Sequence, residues 1–273
     1  MKSVSIVELK LKQQSPASNG GTSFYLCCMK DNFSKQASGY AKYRPGYPSE
    51  LFDYILGFVK ERNAAWDCGT GNGQSAKMLS DHFEKVFATD ISQKQIDNAW
   101  QAPNIFYSVA DEVHSGLPDE SVSLVTVAQA IHWFNFEKFY TEVNRVAKPG
   151  AMLAVWTYSR LKISDEIEPI ITDYHFNTLG DYWDAERKYV DDKYVDIPFP
   201  FKEIETPKFK MELNWSLEDL EGYFNTWSAL QKYVAAHSFN PVGDIIQKIA
   251  PYWGDATERK IIFPIHLRLG VIK

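Results

Sequence analysis

The 273-residue sequence lacks any apolar run approaching the roughly eighteen residues that a membrane-spanning helix needs. Beyond Lys2 it also lacks the apolar stretch of a signal peptide, so the expected compartment is the cytosol. Blocks of Lys or Arg are missing too. Twenty-nine basic against thirty-five acidic residues leave a formal charge of −6, which argues against a nucleic-acid partner or an anionic membrane surface. Cysteine is scarce. The three present, Cys27, Cys28 and Cys68, suit neither a disulfide framework nor a closed zinc site and read as free thiols. No Ser-His-Asp set or cluster with metal-ligand spacing is visible, so no metal is expected. What is present is an ordinary globular composition, 45% apolar, on a chain long enough to bury a substantial core.

Residues 1–30 mix Ser, Gln, Gly and Asn and read as a poorly ordered extension. From Phe33 to Lys60 two helical pieces flank the turn Tyr43-Arg44-Pro45-Gly46-Tyr47-Pro48, the second capped by Ser49. Strands and helices then alternate. Short apolar runs at Ala64–Cys68, Val86–Thr89, Ile105–Val109, Val122–Ala128 and Met152–Tyr158 read as strands. Helical spacing fills Gln74–Phe83, the segment to Trp100 opened by a Ser92/Gln95 capping box, and Phe136–Ala147, which Pro149-Gly150 stops. Such alternation predicts a parallel sheet with right-handed crossovers. Two later β-like runs, Phe209–Asn214 and Ile261–Leu269, complete it as an antiparallel pair. The expected fold is thus a Rossmann-like α/β sheet of seven mostly parallel strands with an antiparallel last strand. Its core spans 31–159 and resumes at 206–273, while helical insertions at 160–205 and 216–256 form a lid. Aromatics there, such as Tyr182, Trp183, Trp215, Tyr223 and Trp227, read as core packing or as substrate contacts.

The segment Asp67-Cys68-Gly69-Thr70-Gly71-Asn72-Gly73 stands where a strand hands over to a helix. Glycines there let the backbone pass close beneath a ligand. The dinucleotide fingerprint has its third glycine one residue later, and here a carboxylate precedes the first. An acid beside the loop would repel a diphosphate but suits a ligand carrying an ammonium and a sulfonium, such as S-adenosylmethionine. Asp90, twenty-one residues past Gly69, ends the second strand, where a carboxylate can accept both ribose hydroxyls. NAD makes the same demand, so Asp90 alone leaves an NAD-dependent oxidoreductase open. Asp111 and Glu112, after the third strand, are alternative partners for an adenine amine.

These residues resemble the class I methyltransferases, in particular the type-11 group that includes trans-aconitate methyltransferase. The carriers are Tyr40 through Pro48, the glycine loop, Gly116-Leu117-Pro118-Asp119, Ala128 through Phe134 and Lys148-Pro149-Gly150, and the likeness spans most of Phe33 to Lys273. Trp66 departs from the usual Val or Leu before the loop, which affects packing rather than ligand choice. The resemblance implies that Asp67, Gly69, Thr70, Gly71 and Gly73 line the methionine moiety and that Asp90 and Ile91 hold ribose and adenine. It further implies that Asp111 or Glu112 meets the adenine edge and that Gln129 faces the methyl group. Tyr40 and Arg44 either close over the cofactor or belong to a turn packed on the sheet.

The implied reaction converts S-adenosylmethionine to S-adenosylhomocysteine on a small organic acceptor. A sulfonium leaves readily, so the chemistry needs alignment more than a protein nucleophile. His132 is placed either to take a proton from a hydroxyl acceptor or to pack beside Trp133; a carboxylate acceptor needs no base. Neither Asn-Pro-Pro-Tyr nor Asp-Pro-Pro-Tyr follows the fourth strand, which disfavours N-methylation of a base. The leading expectation is a small-molecule methyltransferase; nothing in the sequence excludes a non-catalytic binder of the same cofactor.

Overall fold

The computed structural model describes Tyr43 and residues 45–273; the expectations for residues 1–30, Tyr40 and Arg44 lie outside the described residues. Helix α1 (Ser49–Leu56) buries Leu51, Phe52, Ile55 and Leu56 along one side. Pro48 occupies its N-cap position, with no side-chain cap bond, so Ser49 is the first helical residue rather than the cap. Strand β1 (Ala64–Cys68) is buried at every position and leads through the glycine loop into α2 (Gln74–Ser80). Then come β2 (Lys85–Asp90), α3 (Gln93–Asp97), β3 (Ile105–Val109), β4 (Val122–Ala128), α4 (Phe136–Val146) and β5 (Ala147–Tyr158). Ser92 Oγ accepts the Gln95 amide at 3.4 Å, but Gln95 Oε1 is buried without a partner, so half of the expected capping box forms and α3 stops well before Trp100.

The sheet runs β3-β2-β1-β4-β5 in parallel. Beyond β5 lies β8 (Arg259–Val271), antiparallel to it, with β6 (Lys202–Ile204) and β7 (Phe209–Trp215) both pairing with the far side of β8. Two short strands therefore share the last position, and β8 alone runs against the others. The Lys148-Pro149-Gly150 segment is a bulge inside β5, not a stop before it. The register jumps from Val122–Ala147 to Leu124–Met152, Gly150 takes a left-handed φ of 79°, and its amide bonds to Lys273 O at 3.0 Å.

Alternating residues feed two cores, one on each sheet face. Ala65, Leu124, Met152, Ala154 and Trp156 pack with α1, α2 and the later helices; Trp66, Val125, Val127, Leu153 and Val155 pack with α4. Trp66 is fully buried and donates to Thr89 Oγ1 at 2.9 Å, a packing role. Helix α4 is capped by Asn135, which accepts the Lys138 amide, and buries Phe139, Tyr140, Val143 and Val146 at helical spacing. Glu142 and Arg145 on α4 grip the two ends of residues 115–119: Glu142 accepts Ser115 N, and Arg145 bonds Asp119 at 2.6 Å.

Between β5 and β6 lie α5 (Ile167–Asp173), a π turn at Tyr174–Thr178, a 3-10 turn at Gly180–Tyr182 and α6 (Arg187–Asp191). Helices α7 (Leu217–Asn225), α8 (Ser228–His237) and α9 (Val242–Trp253) lie between β7 and β8. A true capping box opens α7, Ser216 and Asp219 bonding each other's backbone. The aromatics of these segments pack on one another, with ring centres of Trp183 and Trp227 5.5 Å apart and of Trp215 and Tyr223 5.2 Å apart; Trp215, Tyr223 and Trp227 are buried, while Tyr182 and Trp183 are half-buried at the edge of the core. None of the described helices is long and apolar enough to cross a membrane.

Tyr43 from the Tyr-Arg-Pro turn lies against Gly222 of α7, where a Cβ would stand 2.4 Å from the ring. Tyr47 meets Trp156 edge-on at 5.4 Å. Gly222→Ala should therefore overpack this contact and destabilise the protein by about 1–3 kcal/mol, a loss of roughly 2–10 °C in thermal midpoint. Gly243→Ala on α9, where a Cβ meets nothing within 4 Å, should instead leave the midpoint unchanged or raise it. Scanning calorimetry on both variants checks the contrast.

Candidate active site

The order β3-β2-β1-β4-β5 reverses between β1 and β4, and ligands of such sheets bind at the carboxyl ends of the strands beside that reversal. The loops after β1 and β4 meet there. Gly69 has φ 68°, and a Cβ on it would lie 2.6 Å from the Ala130 Cβ, so this glycine lets the two loops touch. Gly73 has φ 82° and backs onto Tyr107, whose hydroxyl would be 2.2 Å from a Cβ. Gly71 differs. Its φ is 56°, and the direction a side chain would take is open.

Asp67 lies beneath this loop rather than exposed in a crevice. It is fully buried, with Thr70 Oγ1 donating to Oδ2 at 2.6 Å and Thr126 Oγ1 to Oδ1 at 2.7 Å. Burial raises its pKa against these hydrogen bonds, to which the Ala76 amide of α2 adds. The carboxylate thus fixes the loop to β4 and α2, and direct pairing with a ligand ammonium is not what its surroundings offer.

Asp90 is only half-buried. Its Oδ2 accepts the Gly71 amide at 2.8 Å and its Oδ1 the Ser92 amide at 2.9 Å, which fixes the orientation of the carboxylate at the end of β2. Ile91 beside it is 36% exposed, unusual for an isoleucine in a crevice. Asp111 and Glu112 point different ways. Asp111 Oδ1 accepts the Val113 and His114 amides, at 3.0 and 2.7 Å, with part of the carboxylate exposed. Glu112 is buried and accepts the Asn135 amide at 2.9 Å.

Gln129 follows β4 in a left-handed conformation, φ 56°, that a residue with a side chain adopts only when its surroundings hold it. Thr157 of β5 donates to its Oε1. His132 is 8% exposed, its Nδ1 2.7 Å from the Tyr194 hydroxyl. Burial, with the Arg187 charge second, pushes its pKa down to about 3. A base that weak has little driving force to accept a proton near neutral pH, and the imidazole joins the loop after β4 to the turn after α6. Thr126, Thr157 and Tyr194 escape the sequence reading. A lone hydroxyl in an apolar strand is the only signal the two threonines give, and Tyr194, sixty-two residues from His132, gives none.

A family model described as a methyltransferase domain matches residues 66–155. A Dictyostelium discoideum protein named as a methyltransferase is 33% identical over 248 residues, covering 88% of this chain and 94% of that one. The chain belongs to the class I S-adenosylmethionine-dependent methyltransferases. A solved structure described as a type II methyltransferase from Anaeromyxobacter dehalogenans is similar at 35% identity and a TM-score of 0.79, covering 84% of this chain and 98% of that one. A Saccharomyces cerevisiae protein named as an S-adenosylmethionine-dependent methyltransferase is 27% identical over 61% of this chain and 59% of its own length.

The cofactor of this methyltransferase is therefore S-adenosylmethionine, and its product S-adenosylhomocysteine. The crevice fits it in two respects: the open side of Gly71 leaves room at the switch point, and a partly exposed carboxylate stands at the end of β2. NAD chemistry is set aside by the family.

The buried imidazole links stability to pH. Because the folded-state pKa of His132 lies below the ordinary value near 6.5, the unfolded chain binds the extra proton, and stability falls as pH drops from about 6.5 toward 3. The slope from this group approaches about 1.4 kcal/mol per pH unit. Burial also lowers His175 and His266, which contribute to the same trend. His132→Asn should lose less thermal stability between pH 7 and pH 5 than the parent. Equal slopes in parallel melting curves would show the imidazole to be charged or solvated.

Proposed function

We propose that this methyltransferase acts on a small organic acceptor through a carboxylate oxygen, by direct in-line displacement. The observation that carries the reading is the state of His132, the titratable side chain nearest Gln129 along the loop after β4. With its pKa near 3 and its Nδ1 against Tyr194, it serves a hydroxyl acceptor poorly. A carboxylate needs no such help. Its oxygen supplies the electron pair for the new O–CH3 bond, the S–CH3 pair returns to sulfur, and no proton moves. S-adenosylmethionine supplies the electrophilic methyl group on a cationic sulfur that departs as a neutral thioether.

The protein's part is positioning, and well-oriented pairs reach effective molarities of roughly 10⁵ to 10⁸ M. In our reading the loop Gly69–Gly73 lines the methionine moiety with Asp67 as its internal brace. Asp90 accepts the ribose hydroxyls, Ile91 lies against the adenine, and Asp111, the more exposed of the acidic pair, meets its amine. Gln129, held by Thr157, faces the methyl group. The helices at 160–205 and 216–256 roof the acceptor. The chemistry would place the enzyme in the trans-aconitate-like branch, which the Tyr40–Pro48 and Ala128–Phe134 motifs also support.

Titration calorimetry with S-adenosylmethionine tests the assignment of Asp90. Charge-assisted hydrogen bonds contribute about 1.5–3 kcal/mol each, so Asp90→Ala should raise the dissociation constant roughly tenfold to a hundredfold. An unchanged constant in a folded variant removes Asp90 from the site.

A further inference from the structure

Two arginines, Arg160 after β5 and Arg187 at the start of α6, act on each other electrostatically. Arg160 follows β5 at the carboxyl edge of the sheet, its guanidinium carbon 4.5 Å from the centre of the Phe176 ring. Its Nη1 is buried and has no hydrogen-bond partner. Arg187, the first residue of α6, lies 4.7 Å over the Trp183 ring and reaches Asp191 only at 3.4 Å. Asp191 also faces His175 Nε2 at 3.5 Å; His175 is fully buried, its Nδ1 without a partner, and burial keeps the imidazole neutral. Asp191 thus acts electrostatically on both guanidiniums.

The group adjoins the catalytic crevice. Arg187 acts electrostatically on His132 and on Tyr194, Tyr194 interacts with Thr157, and Thr157 donates to Gln129. Buried donors are nearly always satisfied, and an unfilled guanidinium N–H stacked on an aromatic ring is a ready partner for a planar anion. The planar fork of a guanidinium matches the two oxygens of a carboxylate.

We propose that Arg160 and Arg187 together seat a carboxylate of the methyl acceptor. The proposal rests on the small-molecule reading above and deepens it: the acceptor carries an anionic group that the arginines hold while another oxygen receives the methyl. Both side chains are already stacked on aromatic rings, so little freedom is lost on binding.

The test uses the full chain, labelled methyl donor and acceptors paired to differ by one carboxylate: dicarboxylic acids beside their monoesters. The carboxylate-bearing member of a pair should have the lower KM by tenfold or more. Arg160→Gln and Arg187→Gln should erase that difference while the calorimetric affinity for S-adenosylmethionine stays within twofold, and Arg160→Lys should recover part of it. The pairs on the parent protein stand without any variant. Binding of the cofactor with turnover of the monoesters in preference, no turnover of any diacid, or a KM unmoved by both Gln variants overturns the seat. Failure to bind S-adenosylmethionine instead brings down the site reading beneath it.

Discussion

The site hangs on one buried anion. Asp67 has no exposed surface, and an unpaired carboxylate there would carry a desolvation cost that its neighbours must offset. Its donors come from three separate pieces of chain: Thr70 in the loop, Thr126 on β4 and the Ala76 amide of α2. The loop is therefore held from within. With that brace in place, Gly69 can close against Ala130, Gly73 can close against Tyr107, and the remaining glycine is left facing open space. Pre-organisation of this kind lets a backbone bind a ligand without paying ordering entropy at that moment.

Three acids at three strand ends thus divide the work by exposure rather than by residue type. Asp67 is sealed and structural. Asp90 is half-buried and fastened by two amides, which orients its carboxylate at the end of β2. Asp111 anchors the turn to His114 with part of its carboxylate exposed, while its neighbour Glu112 turns inward to Asn135. The loop motif is read in sequence as a direct electrostatic lure for a cationic ligand. Its physical content is mechanical first, because a charge whose oxygens are taken by hydroxyls acts at a distance rather than by contact.

Much of this was legible before any coordinates. Central parallel strands are buried on both faces and so stand out as short apolar runs; β1, β3 and β4 match their expected limits residue for residue. The errors have local causes. Pro149-Gly150 looks like a stop because proline and glycine usually end regular structure, yet the chain beyond it pairs again with β4 after a bulge secured by the last residue, Lys273. Ser49 has the chemistry of a cap, but the rigid φ of Pro48 already sets the entry into α1. Strand β6, three residues long with little burial, carries no periodicity to read. Tyr194 is invisible for a different reason: its partner is fixed by the fold and lies far away in sequence.

The His132–Tyr194 contact joins two strained turns across the crevice. On its near side Gln129 takes a left-handed backbone conformation, and on its far side Lys193 and Tyr194 do the same, with φ of 60° and 62°. Arg268 secures that second turn by donating to the Tyr194 and Ile197 carbonyls. Such conformations persist only where surrounding contacts over-determine them, and here the contacts are a neutral imidazole, a phenol whose pKa burial raises, and a half-buried guanidinium. A charged His132 would need solvation that this junction cannot provide, so its protonation would compete with the junction itself. Spending a histidine on geometry is affordable only in a reaction whose leaving group is already activated. The fold keeps the loop after β4 rigid, and methyl transfer asks for alignment before it asks for a base.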